Sequence, residues 1–426
     1  MRVLRPVSLG GGGGVPEAAT LGAPLAVREF RAIWLAELQS LIGDQLATVA
    51  LAVLVYQRTG SPLFSALTFV AITLPALAGV FGLGALADRY PRHLVLVTCA
   101  VLQAALLAVM AVPSVPWGAL LGLLVVVQLV QCPFLAAQNA TVRVAVPGDL
   151  LEPAMTWRQI NLSTGSLLGL VGGGLVVAAI GPRWALALDA ATFAVTALVL
   201  RFGVLARPTP VRPAEHAGER QPSWSAGFRL MFGTAELRAL MLFVWLTAVP
   251  FAGFALLVPF AAEVGGSPRA VGWLLAAGPL GWLLVTFALA RIEAVTGRRW
   301  DRMRWLPSLV IVMMVPLIGF AVTKSTVVAA VLIGVSGACE VGTPAAQAAL
   351  TRLIPDHLMG AGYSVARSGL RVTQALAAAG AGLAAQLSHT AGGTIAAIGV
   401  FGVLVAVPVA VAVRRARFAV AEVSNQ

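Results

Sequence analysis

The sequence predicts an all-α integral membrane protein with twelve transmembrane helices arranged in two six-helix bundles. Composition, the spacing of apolar runs and an internal repeat support this prediction. Apolar residues make up 59% of the chain, charged residues make up 11%, and the mean hydropathy is +0.90. Because a soluble domain carries about 25% charged residues, this composition excludes a soluble globular protein.

The predicted helices follow from the apolar runs. A helix needs about 20 apolar residues to cross the hydrocarbon core of a bilayer. Twelve runs of suitable length fit within the 426 residues with short loops between them. These runs are 30–56, 62–86, 94–112, 117–139, 158–180, 184–204, 238–262, 270–291, 305–323, 326–346, 363–387 and 390–413.

An internal repeat divides the chain into halves. Ala137–Asp149 is echoed by Ala346–Asp356 at an offset of 209, and Phe30–Ala32 is echoed by Leu237–Ala239 at an offset of 207. Offsets near half the chain length predict two parallel six-helix repeats. The predicted parts are a disordered cytoplasmic N-terminus (1–27), an N-terminal bundle (28–206), a cytoplasmic linker with an interfacial helix (207–237), a C-terminal bundle (238–415) and a cytoplasmic tail (416–426).

The basic residues predict the topology. With both termini in the cytoplasm, 25 of the 29 basic residues lie inside, and only Arg58, Arg183, Arg269 and Lys324 lie outside. This bias follows the positive-inside rule and predicts a multi-pass protein of the cell membrane. The net charge of +12 therefore reflects topology and attraction to the lipid bilayer, and we expect no nucleic-acid partner.

Cysteine and histidine placement argues against a metal site or an enzyme. Cys99, Cys132 and Cys339 lie far apart in apolar runs, and the four histidines lie in loops or at helix ends. The sequence contains no zinc-type spacing, catalytic triad or Walker loop. We therefore expect no metal, no cofactor and no enzymatic activity, and we expect a monomer.

A polar turn joins the second and third runs. It reads Gly84-Ala-Leu-Ala-Asp88-Arg89-Tyr-Pro-Arg92-His93 and resembles the Gly-x-x-x-Asp-Arg-x-x-Arg-Arg/Lys loop of major facilitator transporters, with only His93 departing. The resemblance implies a conformational latch in which Asp88 meets the positive N-terminus of the eleventh helix. Arg89 and Arg92 would pair with carboxylates or helix C-termini. A simple topology anchor is the alternative.

Other segments resemble the enterobactin-exporter and macrolide-efflux branch of that superfamily, namely 31–35, 43–44, 55–62, 270–275 and 352–355. The resemblance implies the major facilitator fold and proton-coupled export. The fifth run resembles the glycine motif of drug antiporters but carries Leu170 in place of its proline. Gly165, Gly169 and Gly173 are expected to allow close helix packing.

Acidic residues inside the predicted spans are candidate proton-coupling residues. A charge there costs about 2.5–3.5 kcal/mol, and desolvation favours the neutral carboxyl group. The candidates are Asp44, Glu37, Asp189 and Glu340. Hydrogen bonding to a neighbouring helix, without a role in transport, is the alternative for the first two, and Arg183 is the alternative partner of Asp189.

Two further groups of residues are predicted to lie on the transport path. Glu340 with Arg367 and Arg371 predicts an inner gate ion pair, or a purely structural one. The resemblance implies that the first, fourth, seventh and tenth helices line the cavity. The predicted substrate cavity residues there are Gln128, Gln131, Trp245, Phe251 and Phe254. Bonds between helices for the amides, and lipid or core contacts for the aromatic rings, are the alternatives.

The predicted function is secondary active transport. A small organic molecule, such as a drug, siderophore or secondary metabolite, would leave the cell by proton antiport and alternating access. An importer of the same fold is one alternative. A membrane-embedded enzyme or a non-transporting sensor is another, although the sequence offers neither a catalytic cluster nor a sizeable soluble domain.

The charge bias yields a direct test of topology. With single cysteines introduced one at a time, an impermeant maleimide added outside intact cells should react at Thr59→Cys and Gly265→Cys. It should not react at His216→Cys, because the linker is expected in the cytoplasm. Labelling of position 216 from outside would contradict the arrangement in two halves.

Overall fold

A computed structural model of the chain describes residues 23–77, 83, 86–207, 224–297, 302–355 and 358–423. These ranges contain helices and no strand. Ten of the helices described are long and apolar enough to cross a membrane. The predicted disordered segment 1–27 lies outside the described residues up to residue 22, and Ala23–Ala26 is helical. The predicted all-α membrane fold is confirmed.

We number twelve segments as spans, namely these ten together with the shorter Pro62–Thr73 and with Met359–Ser388. Six of them lie in the first half of the chain. They are Arg28–Thr59 (span 1), Pro62–Thr73 (span 2), Arg92–Ala111 (span 3), Trp117–Ala145 (span 4), Leu151–Ile180 (span 5) and Pro182–Gly203 (span 6). Span 2 changes to a 3-10 turn at Leu74–Ala76, because Pro75 has no N–H to donate and restricts the residue before it. The predicted run 62–86 is therefore not one regular α-helix.

The second half follows a short helix at Trp224–Gly233, within the predicted linker segment whose residues 208–223 lie outside the described ranges. Span 12 continues to Val423, so the predicted tail is helical over most of its length. The spans are Ala235–Glu263 (span 7), Pro268–Thr296 (span 8), Arg302–Ile318 (span 9), Thr326–Leu353 (span 10), Met359–Ser388 (span 11) and Ala391–Val423 (span 12).

Spans 7 and 10 are broken, which the sequence analysis did not predict. Span 7 consists of Ala235–Leu246, Ala248–Ala255 and Leu257–Glu263. The first two pieces end at Leu246 and Ala255, four residues before Pro250 and Pro259, because the proline ring clashes with the carbonyl group at that distance. In span 10 a 3-10 turn at Cys339–Gly342 likewise begins near the residue four before Pro344.

The two halves meet through two pairs of helices. Span 5 packs along span 8, and span 2 packs along span 11. We call the end that carries the turns at 60–61, 264–267 and 389–390 the outer end, following the predicted topology. A Cβ atom on Gly174 would lie 2.6 Å from the Cα of Gly272, and one on Gly382 would lie 2.7 Å from the Cβ of Ala66. The outer ends of the two halves are thus in close contact with each other.

Close glycine contacts also build the N-terminal half. The glycines predicted to allow close packing, Gly165, Gly169 and Gly173, all lie against span 1. A Cβ atom on Gly169 would approach the carbonyl oxygen of Ile42 to 2.6 Å. At the inner end, Arg207 donates a hydrogen bond of 2.7 Å to Glu29 Oε2 and another to Glu29 Oε1. Hydrogen bonding to Glu29 raises the pKa of the Arg207 guanidinium above its ordinary value.

The outer closure predicts an asymmetric effect of two alanine substitutions. Gly174→Ala overpacks the contact with Gly272, whereas Gly172→Ala meets only an ordinary contact of 3.8 Å with Leu46. Overpacking costs about 1–3 kcal/mol, a change of roughly 5- to 150-fold in the population of the closed state. A cysteine at Ser61, which is buried by the closure, should react faster with an impermeant maleimide in Gly174→Ala. Equal rates in the two variants would contradict this closure.

Candidate functional site

A cavity of about 520 Å³ lies between the two halves. Spans 1, 2, 5, 7, 8, 10 and 11 line it, and none of its described lining residues comes from span 4. Its polar lining consists of Gln45, Thr48, Thr73, Gln159, Ser163, Ser166, Thr247, Ser336, Glu340, Arg371 and Gln374. This volume falls within the range of small-molecule sites, about 300–1,000 Å³.

Three phenylalanines form an aromatic cluster across the two halves. The ring centroid of Phe69 in span 2 lies 6.1 Å from that of Phe251 and 5.7 Å from that of Phe254, both in span 7. All three rings line the cavity, as does Trp282 of span 8. Phe251 and Phe254 therefore lie where the sequence analysis placed them, and their rings offer an apolar surface for stacking.

Two of the candidate acidic residues, Asp44 and Asp189, lie where spans 1 and 6 pack together. A Cβ atom on Gly43 would lie 2.2 Å from Asp189 Oδ1, so the Asp189 carboxyl group packs against the residue next to Asp44. Asp44 and Asp189 thus lie on facing segments of spans 1 and 6. Asp189 is 1% exposed, and Oδ1 accepts a hydrogen bond of 3.1 Å from Thr192.

Among the described residues, no cation is paired with Asp44 or Asp189. Asp189 Oδ2 is buried without a hydrogen-bond partner, and the described contacts give the Asp44 carboxyl group neither a hydrogen bond nor an ion pair. Arg183, the alternative partner of Asp189, instead donates 2.7 Å to the carbonyl oxygen of Met110. The structure thus brings together two residues that sequence reasoning considered separately.

Glu37, the third candidate, has a cationic partner. Arg158 Nη2 lies 2.6 Å from Glu37 Oε1, and both side chains are largely buried. The same guanidinium donates 2.6 Å to Asn139 Oδ1 and 3.4 Å to Gln138 Oε1. This network joins spans 1, 4 and 5, and it satisfies the charge of Glu37 within the protein.

The predicted gate ion pair is not formed. Glu340 and Arg371 both line the cavity, but no ion pair within 4.0 Å joins Glu340 to Arg371 or Arg367 among the described residues. The guanidinium of Arg367 lies over the Tyr363 ring instead and donates 3.2 Å to its hydroxyl. The role of these residues as a gate stays a prediction.

The remaining predicted cavity residues lie elsewhere. Gln131 accepts a hydrogen bond of 2.6 Å from Gln103 of span 3, and neither Gln128 nor Gln131 lines the cavity. Trp245 donates 2.9 Å to the carbonyl oxygen of Ala366 in span 11. For Gln131 the structure contains the alternative, a bond between helices. For Trp245 it contains the alternative core contact, since the ring packs against the buried cluster that includes Leu237 and Leu240.

The predicted latch is described only in part. Gly84 lies outside the described residues, and for Asp88 the description is limited to its helix, Leu86–Arg89. Arg89 is exposed. Arg92 Nη1 donates 3.3 Å to the carbonyl oxygen of Ala140 near the end of span 4, so it contacts a helix C-terminal region of its own half.

Sequence reasoning missed the contribution of span 5. Gln159, Ser163 and Ser166 line the cavity, and they recur at intervals of four and three residues along one helix face. That polar stripe in an otherwise apolar span was the available signal. The proline four residues after Glu340 was a second signal, because broken helices in transporters of this architecture occur at binding sites.

Comparison with known proteins decides the family. Residues 33–378 match the Major Facilitator Superfamily, which is well over half of the chain. The chain belongs to the Major Facilitator Superfamily. The family and the fold indicate a multi-pass membrane transporter rather than an enzyme. No curated protein matches the sequence.

Solved structures share the fold. A bacterial homologue of the human lysosomal transporter Spinster, inward-facing and unoccupied, has a TM-score of 0.64 and 15% identity over 97% of this chain and 98% of that chain. A POT family transporter in complex with 5-aminolevulinic acid has a TM-score of 0.72 and 10% identity over 94% and 99%. At such identities the similarity shows the fold alone.

The Glu37–Arg158 pair predicts a non-additive effect on stability. Removing one partner of a buried pair costs about 3–5 kcal/mol, because the other charge stays buried alone. Glu37→Gln should therefore lower the melting temperature of the detergent-solubilised protein. The double variant Glu37→Gln, Arg158→Gln should regain part of the loss, and the exposed Arg143→Gln serves as the control. A double variant less stable than the single one would refute this pairing.

Proposed function

We propose that the protein is a proton-driven exporter of a small organic molecule that operates by alternating access, in the cell membrane, with both termini in the cytoplasm. The observation that carries the proposal is that Asp189 packs against the residue next to Asp44 inside the N-terminal half. Glu37 has a cation beside it, and the carboxyl pair has none among the described residues. The pair is thus the best candidate for the coupling proton.

Two neighbouring carboxyl groups in a poorly hydrated site cannot both ionise without repulsion, so one of them retains a proton. Two cations of the N-terminal half are already engaged with other groups. Arg158 binds Glu37, and Arg183 binds backbone carbonyl groups at the outer end. The protonation of the pair then depends on water, which would enter or leave its surroundings as the two halves rearrange.

The cavity links this proton to a substrate. Gln45 and Thr48 of span 1 line the cavity, and Asp44 lies directly before Gln45 on the same helix. Movement of span 1 during alternating access would change the hydration of the carboxyl pair. In the proposed cycle the pair releases its proton to the cytoplasm while substrate binds, and it takes up a proton from outside as substrate leaves.

Export rather than import is supported by the resemblance of segments 31–35, 43–44 and 55–62 to the enterobactin-exporter and macrolide-efflux branch. Drugs, siderophores and secondary metabolites are the substrates to which that resemblance points. The protein would thus be an efflux antiporter. The latch segment at Asp88–Arg92 would help to close its cytoplasmic side.

The carboxyl pair predicts a selective loss of coupling. Asp44→Asn and Asp189→Asn keep hydrogen-bonding shape but cannot carry a proton. One coupled proton and a pH difference of about one unit support a substrate gradient of about tenfold. Wild-type proteoliposomes should build this gradient, and both variants should only equilibrate the substrate while retaining counterflow.

The probe for this comparison is chosen first, as a compound that wild-type proteoliposomes transport from a panel of anionic, cationic, neutral and zwitterionic dyes. Glu236→Gln, a carboxylate at the inner start of span 7, is the matched control and should pump as wild type does. Uphill transport by Asp44→Asn with unchanged pH dependence would overturn the assignment of the coupling proton to this pair.

A further inference from the structure

Glu340 and Arg371 are two opposite charges that face one cavity without meeting. Glu340 lies in the 3-10 turn that interrupts span 10, and Arg371 lies in span 11. Both line the cavity. No ion pair joins them within the described residues, and Arg371 makes no hydrogen bond there either.

Neither charge has a partner within the described part of the protein. Glu340 is half-buried, and a buried or half-buried charge is normally paired and hydrogen-bonded, as Glu37 and Arg158 are. Arg371 is exposed and lines the cavity. Arg371 receives no such compensation from Arg367, which carries the same charge and lies against Tyr363. The missing counter-ions therefore have to come from water or from a bound molecule.

A third polar group lies beside the arginine. Gln374 is three residues after Arg371, on the same face of the helix. Its Oε1 atom is buried and has no hydrogen-bond partner among the described residues, and its side chain lines the cavity. Gln374 Oε1 is thus an acceptor without a donor, and it lies near the unpaired guanidinium of Arg371. This combination indicates a ligand that both donates and accepts hydrogen bonds.

The rest of the cavity favours an apolar body. The rings of Phe69, Phe251, Phe254 and Trp282 line it, beside neutral hydroxyl and amide groups of spans 1 and 5. Aromatic rings of this kind pack against flat apolar groups. The two charges thus lie at the edge of a surface that accepts an aromatic or aliphatic moiety.

We propose that the cavity binds zwitterionic amphiphiles. The anionic group of the ligand binds Arg371, its cationic group binds Glu340 with help from Gln374, and its apolar body packs against the phenylalanine cluster. The proposal rests on the proposed transport function only in taking this cavity as the substrate site. Simple organic anions and simple organic cations would each leave one of the two charges without a partner.

Four fluorescent probes with one aromatic body test this proposal. They are Nε-dansyl-lysine (zwitterion), its methyl ester (cation), its Nα-acetyl derivative (anion) and the Nα-acetyl methyl ester (neutral). Binding to the full-length protein in nanodiscs is followed by dansyl emission. The zwitterion should bind roughly 10- to 150-fold more tightly than the neutral probe, the range expected for hydrogen bonds to charged groups.

Two variants test the roles of the two charges separately. Arg371→Gln should weaken binding of the zwitterion and the anion and leave the cation unaffected. Glu340→Gln should weaken binding of the zwitterion and the cation and leave the anion unaffected. Arg367→Gln, one turn away and held by Tyr363, is the matched control and should bind all four probes as wild type does.

Equal affinity of wild type for the zwitterion and the neutral probe would overturn the proposal, and so would a preference for the anion or the cation alone. A uniform loss for all probes in both variants would also overturn it, since that pattern indicates a structural role only. Equilibrium binding needs no proton gradient, so failure here leaves the coupling role of Asp44 standing, and the reverse also holds.

Discussion

The cost of an uncompensated charge in lipid governs the arrangement of this protein. In a bilayer each ionisable side chain has to be paired, protonated or exposed to water. Glu29 and Glu37 are paired, with Arg207 and Arg158 respectively. The groups that break this pattern, Asp44 with Asp189 in the N-terminal half and Glu340 with Arg371 at the cavity, are the ones to which we assign function.

The same constraint explains why the helices around the cavity are irregular. Backbone groups released by a helix break need water or protein partners, so such breaks are tolerated where they line a cavity. Span 7 breaks at Thr247 and span 10 breaks at Glu340, and both residues line the cavity. The C-terminal half thus combines an unwound segment with a charge. In the N-terminal half, span 1 is continuous and carries Asp44, and Asp189 lies in span 6.

Sequence reasoning was sufficient for the fold and insufficient for the pairing of side chains. The apolar runs, the repeat and the charge bias depend on composition and spacing, which lipid constrains strongly. Whether Glu340 meets Arg371, or Glu37 meets Arg158, depends on the rotation of helices that are distant in sequence. Gln131 shows the limit well, because a polar residue in a span predicts only that it bonds somewhere, and it bonds to Gln103 of span 3.

The cavity was partly accessible to prediction. Phe251 and Phe254 followed from the aromatic content of span 7, and the polar stripe of span 5 was present in the sequence but not used. The contribution of spans 2, 8 and 11 depends on how the two halves dock at the outer glycine contacts. That docking is a property of the three-dimensional packing, and no local pattern encodes it.

The central claim is that the Asp44–Asp189 pair holds a proton inside the membrane, and infrared spectroscopy tests it most directly. The C=O stretch of a protonated carboxyl group is distinct from that of a carboxylate. At neutral pH, wild-type protein in nanodiscs should show a protonated carboxyl band that is lost in the Asp44→Asn, Asp189→Asn double variant and retained in Glu340→Gln. A wild-type spectrum without that band, or a band that persists in the double variant, would contradict the account.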